Sequence, residues 1–311
     1  MEGRPAEQGR CVIVEQRGNE SIDILPSEYN ARSKIHEYGG GACNASPDGS
    51  LIFADANTSG VFRLKSAYDA QPIINASEQF RYADFDVHPL KTNLILAVQE
   101  DHSGKTVENR VALINADNKS VTIICQGADF YCAPRFNHDG TKICWVQWNH
   151  PDMPWTGSEL YVADWNGVGP LNVKHIAGKA VGEAVGQPRW HEDGTLFFTS
   201  DKTGFAQLYR LDSSSLEILP LVLPGWEEAD IASKQVLSGL GKYVSDSWTR
   251  KSLTGPQQFV HYLDSYPTCS RIYEECYRWI VTGRSPNFES SRAPTWPGRH
   301  SYELHSQNLQ H

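Results

Sequence analysis

The chain has 311 residues, a formal net charge of −9 at neutral pH and 40% hydrophobic residues, among them nine Trp, thirteen Tyr and eleven Phe. The acidic balance, with no basic stripe to replace counterions, excludes a phosphate-backbone binder, so nucleic acid is not an expected partner. No run of about eighteen apolar residues and no basic-then-apolar leader occurs, so the sequence predicts neither a membrane span nor a secretory signal and the expected compartment is the cytoplasm.

In chain order, Glu2 to Arg10 leads into a predicted strand, Cys11-Val12-Ile13-Val14, and Ile22 to Leu25 reads as the last strand of a partial first blade. Gly39-Gly40-Gly41 follows. Three consecutive glycines let the backbone take positive φ and approach another surface closely, as at the inner end of a blade. From Gly41 to Asp212 one unit then recurs. Ala45-Ser46-Pro47-Asp48-Gly49 turns into Leu51-Ile52-Phe53-Ala54 and is closed by Val61-Phe62-Arg63-Leu64. A weaker copy without the turn glycine runs from Ala83 to His88-Pro89, then Leu94 to Val98, and closes at Val111 to Ile114. The fullest copy enters through Ala133-Pro134-Arg135-Phe136, turns at His138-Asp139-Gly140, leaves through Ile143 to Trp148 and closes with Glu159 to Asp164. Gln187-Pro188-Arg189-Trp190, His191 to Gly194 and Leu196 to Ser200 repeat it, closed by Gln207 to Leu211.

Short strands around a tight Asp-Gly turn, recurring at a period of roughly 40–50 residues, are the signature of a propeller. Each unit is a small sheet that cannot bury both faces alone, so stacking neighbours around an axis makes one core. The expected fold is therefore an all-β propeller with about five recognisable blades, incomplete at both ends. It spans residues 1–253 with a partial first blade; residues 254–311 read as a degenerate last blade followed by a disordered tail from Arg292. Tyr243 to Arg250 still reads as a strand. Open blade edges and faces would favour self-association or a partner protein covering the gap.

Several strings carry a family resemblance: Tyr38-Gly39-Gly40-Gly41-Ala42, Arg81-Tyr82-Ala83-Asp84, Glu100-Asp101-His102, Gly127 to Tyr131, Trp148-Asn149-His150-Pro151-Asp152-Met153-Pro154-Trp155 and Ser200 to Gly204. Over roughly residues 1–250 the chain resembles the N-terminal propeller of the prolyl oligopeptidase clan, in its acylaminoacyl-peptidase or dipeptidyl-aminopeptidase-like branch. The resemblance implies a propeller that sits over an α/β-hydrolase domain carrying the catalytic serine. This sequence contains no such half, and no triad residue carries over to any position in it.

The residues agree. The Gly-x-Ser-x-Gly elbow, which strains a serine next to backbone oxyanion donors, does not occur: Gly157-Ser158-Glu159 lacks the second glycine and Ser238-Gly239-Leu240-Gly241 the first. No catalytic residue is therefore assigned. Scattered histidines, with His138 and His191 on turns, form no metal-ligand spacing, and no phosphate loop is present, so neither metal nor cofactor is expected. Seven cysteines without a Cys-x-x-Cys pair are not a disulfide framework; Cys132 and Cys144 read as buried small hydrophobes.

Glu37, Asp84 and Asp129, with Arg81, Arg135 and Arg189, come just before inner strands and are the candidate channel or ligand-binding residues; the alternative is that they pair among themselves and cap loops. Trp148, Met153 and Trp155 form a candidate docking loop, the alternative being packing within the blade. The functional expectation is a peptidase-type propeller without peptidase activity of its own, binding a peptide or small molecule or assisting a partner enzyme. The rivals are a propeller enzyme with channel chemistry, such as a lactonase-like hydrolase or an accessory biosynthetic enzyme, and a non-functional remnant of a serine peptidase.

Overall fold

The computed structural model describes residues 1–17, 20–37, 39–221 and Asp230. Tyr38, the predicted strand from Tyr243 to Arg250, Cys269, Cys276 and the whole of 254–311 lie outside the described residues. Residues 1–258 form one unit, and its described part is built from antiparallel strands with a single 3-10 turn at Pro5–Glu7.

Two short hairpins come first, β1 (Glu2–Arg4) with β2 (Arg10–Val12) and β3 (Val14–Arg17) with β4 (Glu20–Asp23). The predicted continuous strand over Cys11 to Val14 is thus split. The break falls at Ile13, whose side chain is 4% exposed and packs with Leu25 and Phe53. Four meanders of four strands follow. The first holds β5 (Cys43–Ala45), β6 (Leu51–Ala54), β7 (Val61–Ser66) and β8 (Asp69–Ile74). The second holds β9 (Phe80–Val87), β10 (Leu94–Asp101), β11 (Glu108–Asn115) and β12 (Ser120–Gln126). The third holds β13 (Phe130–Phe136), β14 (Lys142–Trp148), β15 (Glu159–Trp165) and β16 (Pro170–Gly178). The fourth holds β17 (Val185–Trp190), β18 (Thr195–Ser200), β19 (Gln207–Asp212) and β20 (Ile218–Leu221). In each sheet the strands lie in sequence order. These are blades of an all-β propeller.

Each blade therefore has one more strand than the sequence pattern shows. β7, β11, β15 and β19, read as closing strands, are third strands, and β8, β12, β16 and β20 close the blades outside them. The outer strands carry a weaker sequence pattern because they pack on one side only and are less buried: β16, for example, exposes Leu171 through His175 and carries no clean alternation.

The turns explain why the first two strands of each blade were legible. Asp48, Asp139 and Asp193 each accept, through Oδ1, the backbone N–H two residues on, at 3.0, 2.9 and 2.8 Å, which closes the turn locally. In the blade without a turn glycine His88 takes over that work: its Nδ1 accepts the N–H groups of Leu90 and Lys91 at 3.1 and 3.2 Å.

Period-two alternation then assigns every buried side chain to one of two neighbours. On β10, Ile95 and Ala97 join Ile52, Val61 and Phe85 toward the first blade, while Leu96 and Val98 join Trp145, Ile143 and Tyr131 toward the third. On β14, Ile143 and Trp145 face back, and Cys144 and Val146 face forward to Leu196, Phe198 and Tyr209. Each blade interface is thus one apolar layer, and burying each such large side chain contributes about 1.5–3 kcal/mol.

A charged cluster on the inner strands

The first strands of consecutive blades adjoin one another, β5 with β9, β9 with β13 and β13 with β17. Each of the last three carries a bulge at one place. Pairing of β9 to β10 skips Asp84 and Phe85, that of β13 to β14 skips Ala133 and Pro134, and that of β17 to β18 skips Gln187 and Pro188. The first residue of each pair is left-handed, with φ of 56°, 52° and 53°, and Gly41, just before β5, matches them at 55°. At Gly41 the conformation and the space both require glycine, since a Cβ would lie 2.8 Å from the Asp84 backbone nitrogen.

The bulges aim side chains toward one place. Asp84, 3% exposed, accepts the Ala133 N–H through Oδ2 at 2.7 Å and pairs Oδ1 with Arg135 Nη2 at 2.5 Å. Arg135 also donates to the Pro134 carbonyl at 2.7 Å, and Arg189 to the Pro188 carbonyl at 2.8 Å. Asp86 accepts the Phe136 N–H through Oδ2 at 2.8 Å. Burial pushes the Asp86 carboxyl up to about 6, against the opposing pull of Arg135, the Phe136 N–H and Arg189. Burial and the neighbouring Arg135 together bring Arg189 down to about 10, so it stays charged at neutral pH. Arg135 moves the other way, because Asp84 and Asp86 outweigh the burial that would lower it. Cys132 and Cys144 adjoin the cluster, and burial raises both thiols, Cys144 to about 12, so neither is a ready nucleophile.

Of the six candidate channel residues, Asp84, Arg135 and Arg189 meet here, and they sit within the inner strands, not before them. Asp86, absent from the sequence reading, completes the group. The signal that locates it is register: Asp86, Arg135 and Arg189 are the residues at which pairing resumes after the bulge.

Glu37 and Arg81 belong to a different group. Arg81 Nη1 pairs with Glu37 Oε1 at 2.7 Å and lies 3.6 Å from Glu100 Oε2, and Glu100 in turn accepts the His36 N–H at 2.5 Å and meets His102 Nε2 at 3.0 Å. Asp129 precedes β13 in a loop, where its Oδ2 accepts the His150 N–H at 2.8 Å and its own N–H donates to Asn149 Oδ1 at 2.8 Å. Trp148 is 4% exposed and stacks on Phe130 at 5.3 Å, so it packs within its blade; Met153 and Trp155 are half-buried. Asp152 braces that loop, accepting the Thr156 hydroxyl at 3.1 Å and the Val181 N–H at 2.9 Å. Among the described residues no group of three or more His, Cys, Asp or Glu is placed to hold a metal ion, and no helix is long and apolar enough to cross a membrane.

No protein-family model matches the chain, and no curated protein sequence does. Solved structures do. A puromycin-hydrolyzing peptidase of Mycobacterium tuberculosis superposes with a TM-score of 0.64 at 25% sequence identity, over 71% of this chain and 36% of that one. A puromycin hydrolase matches with the same score, identity and coverage of this chain, over 37% of its own length. The chain carries a propeller of the prolyl oligopeptidase clan. This peptidase-type propeller spans little more than a third of the length of the two structures it matches. An oligogalacturonate lyase in complex with manganese, 12% identical with a TM-score of 0.50 over 65% of this chain and 56% of that one, shares the fold alone.

Proposed function

We propose that this propeller binds a short peptide or peptide-like small molecule at the inner-strand cluster, in the service of a hydrolase and without supplying a nucleophile itself, and that it works in the cytoplasm. The observation that carries the reading is the convergence of Asp84, Asp86, Arg135 and Arg189, from neighbouring blades, through bulges at matching places. Fixed charges of both signs, withdrawn from water, suit a zwitterionic or amide-rich ligand, because donors and acceptors held in a low-dielectric site interact more strongly than in bulk solvent and need no reorganisation. The likeness to two puromycin-hydrolysing structures supports a ligand of peptide character. The missing Gly-x-Ser-x-Gly elbow, and the burial of Ser158, whose hydroxyl is engaged with the Pro154 and Val185 carbonyls, support the lack of a nucleophile. Equilibrium dialysis of the full chain against a set of N-acetylated tripeptides tests the reading: saturable binding of at least one is expected, and no saturable binding of any contradicts it.

A further inference from the structure

The inner-strand cluster is built by repetition, and the repetition is broken at one point. Gly41, just before β5, and Asp84, Ala133 and Gln187, on the next three inner strands, hold the same left-handed place. Each step faces the next: the Asp84 N–H donates to the Gly41 carbonyl at 2.8 Å, and Asp84 Oδ2 accepts the Ala133 N–H at 2.7 Å. Two residues beyond each place stands the residue that the preceding blade would meet. For the second and third blades this puts the Asp84 carboxylate against the Arg135 guanidinium, Oδ1 to Nη2 at 2.5 Å.

One blade further on, Ala133 holds the place of Asp84 and Arg189 that of Arg135. Arg189 keeps the anchoring bond of its counterpart, to the carbonyl of the preceding proline. Among the described residues its other nitrogens bond to no carboxylate, and Asp84 and Asp86 act on it only through space, because a methyl group stands where the third blade receives an acid. A guanidinium largely withdrawn from water without a bonded counter-ion is costly, and its planar fork is shaped for a carboxylate.

We infer that Arg189 takes the carboxylate of the bound ligand, the free C-terminus of a short peptide or an equivalent monoacid, in the slot that Asp84 fills for Arg135 one blade earlier. The inference rests on the peptide-binding reading above. Local charge disfavours a phosphate: Asp84 is paired with Arg135, and Asp86, fixed on the Phe136 N–H at 2.8 Å, already acts on Arg189 through space, so a dianion would leave more uncompensated negative charge than a single carboxylate.

Titration calorimetry on the full chain tests this with acetyl-glycyl-glycine, which ends in a free carboxylate, and with its C-terminal amide. The acid is expected to bind more than about tenfold tighter than the amide, the value of one charge-assisted hydrogen bond. Arg189→Gln is expected to erase that difference. Ala133→Asp should restore the internal partner, raising the melting temperature and abolishing the advantage of the acid, since Asp accepts the left-handed conformation at least as readily as Ala. Equal binding of acid and amide by the wild-type chain overturns the carboxylate assignment and leaves peptide binding standing. Binding of neither peptide overturns both. An advantage of the acid that survives Arg189→Gln also overturns the assignment, and that variant decides the matter if Ala133→Asp does not fold.

Discussion

Asp84 reaches from the second blade to hold Arg135 of the third, Oδ1 to Nη2 at 2.5 Å, while its other oxygen caps the Ala133 N–H at 2.7 Å. One buried carboxylate thus fixes both the backbone bulge and the charged side chain two residues beyond it. Removing its charge leaves a buried guanidinium unpaired. Asp84→Asn is accordingly expected to destabilise the chain by about 3–5 kcal/mol, and Arg135→Met added to it should recover part of that loss, because deleting both charges costs less than orphaning one. Denaturant midpoints of the wild type and the two variants check the expectation; equal losses in the single and double variants would contradict it.

Asp86 gives the cluster a pH signature. Its carboxyl is moved from 3.8 to about 6 in the folded chain, with burial the largest cause. Between these values the unfolded chain has released a proton that the folded chain still holds, so stability falls as pH rises through the window and the penalty is complete above about 6. Asp86→Asn retains an acceptor for the Phe136 N–H and cannot ionise. It should match the wild type at the acid end of the window and exceed it above the window by about 1–2 kcal/mol, allowing for partial solvation. Chemical denaturation across that range, with a constant difference at all pH values, would contradict the assignment.

How far the sequence shows all this depends on what each residue faces. The Asp-Gly turns at Gly49, Gly140 and Gly194, and the alternating runs that follow them, declare themselves because local hydrogen bonds and one-sided burial both leave periodic marks. The outer strands leave weaker marks: β16 exposes most of its length, and β12 has no fully buried residue. Arg135 and Arg189 stand out as charges inside the recurring Pro-Arg-aromatic string. Asp86 is legible only once the bulge fixes the register, and Glu100, which gathers the His36 N–H, Arg81 and His102, does not stand out because His36 and Arg81 are distant from it in sequence.

Two turn glycines in equivalent places make opposite demands. A Cβ on Gly140 would come 2.2 Å from the His88 ring of the preceding blade, whereas at Gly194 the nearest atom is the Ser213 hydroxyl at 3.8 Å. Both are left-handed, with φ of 71° and 88°. Gly194→Ala should therefore cost only the conformational term, about 1 kcal/mol, and Gly140→Ala about 2–4 kcal/mol through the added clash. Thermal melts of the pair are the check, and equal losses would mean that His88 yields freely.

The sequence carries no Gly-x-Ser-x-Gly elbow, so the purified chain should not react with a fluorophosphonate serine probe. Gel fluorescence after labelling, with a heat-inactivated sample as the reference for background, reads this directly. Specific labelling of the native chain would require a nucleophile of another design.

Binding at the inner strands is tested most directly by hydrogen exchange on the full chain with and without saturating acetyl-glycyl-glycine. Slowed exchange is expected in the stretches that contain Asp84 to Val87, Ala133 to Phe136 and Gln187 to Trp190, with the outer strands Ser120–Gln126 and Pro170–Gly178 unchanged. Protection confined to the outer strands, or no protection anywhere, would contradict a ligand site on the inner strands.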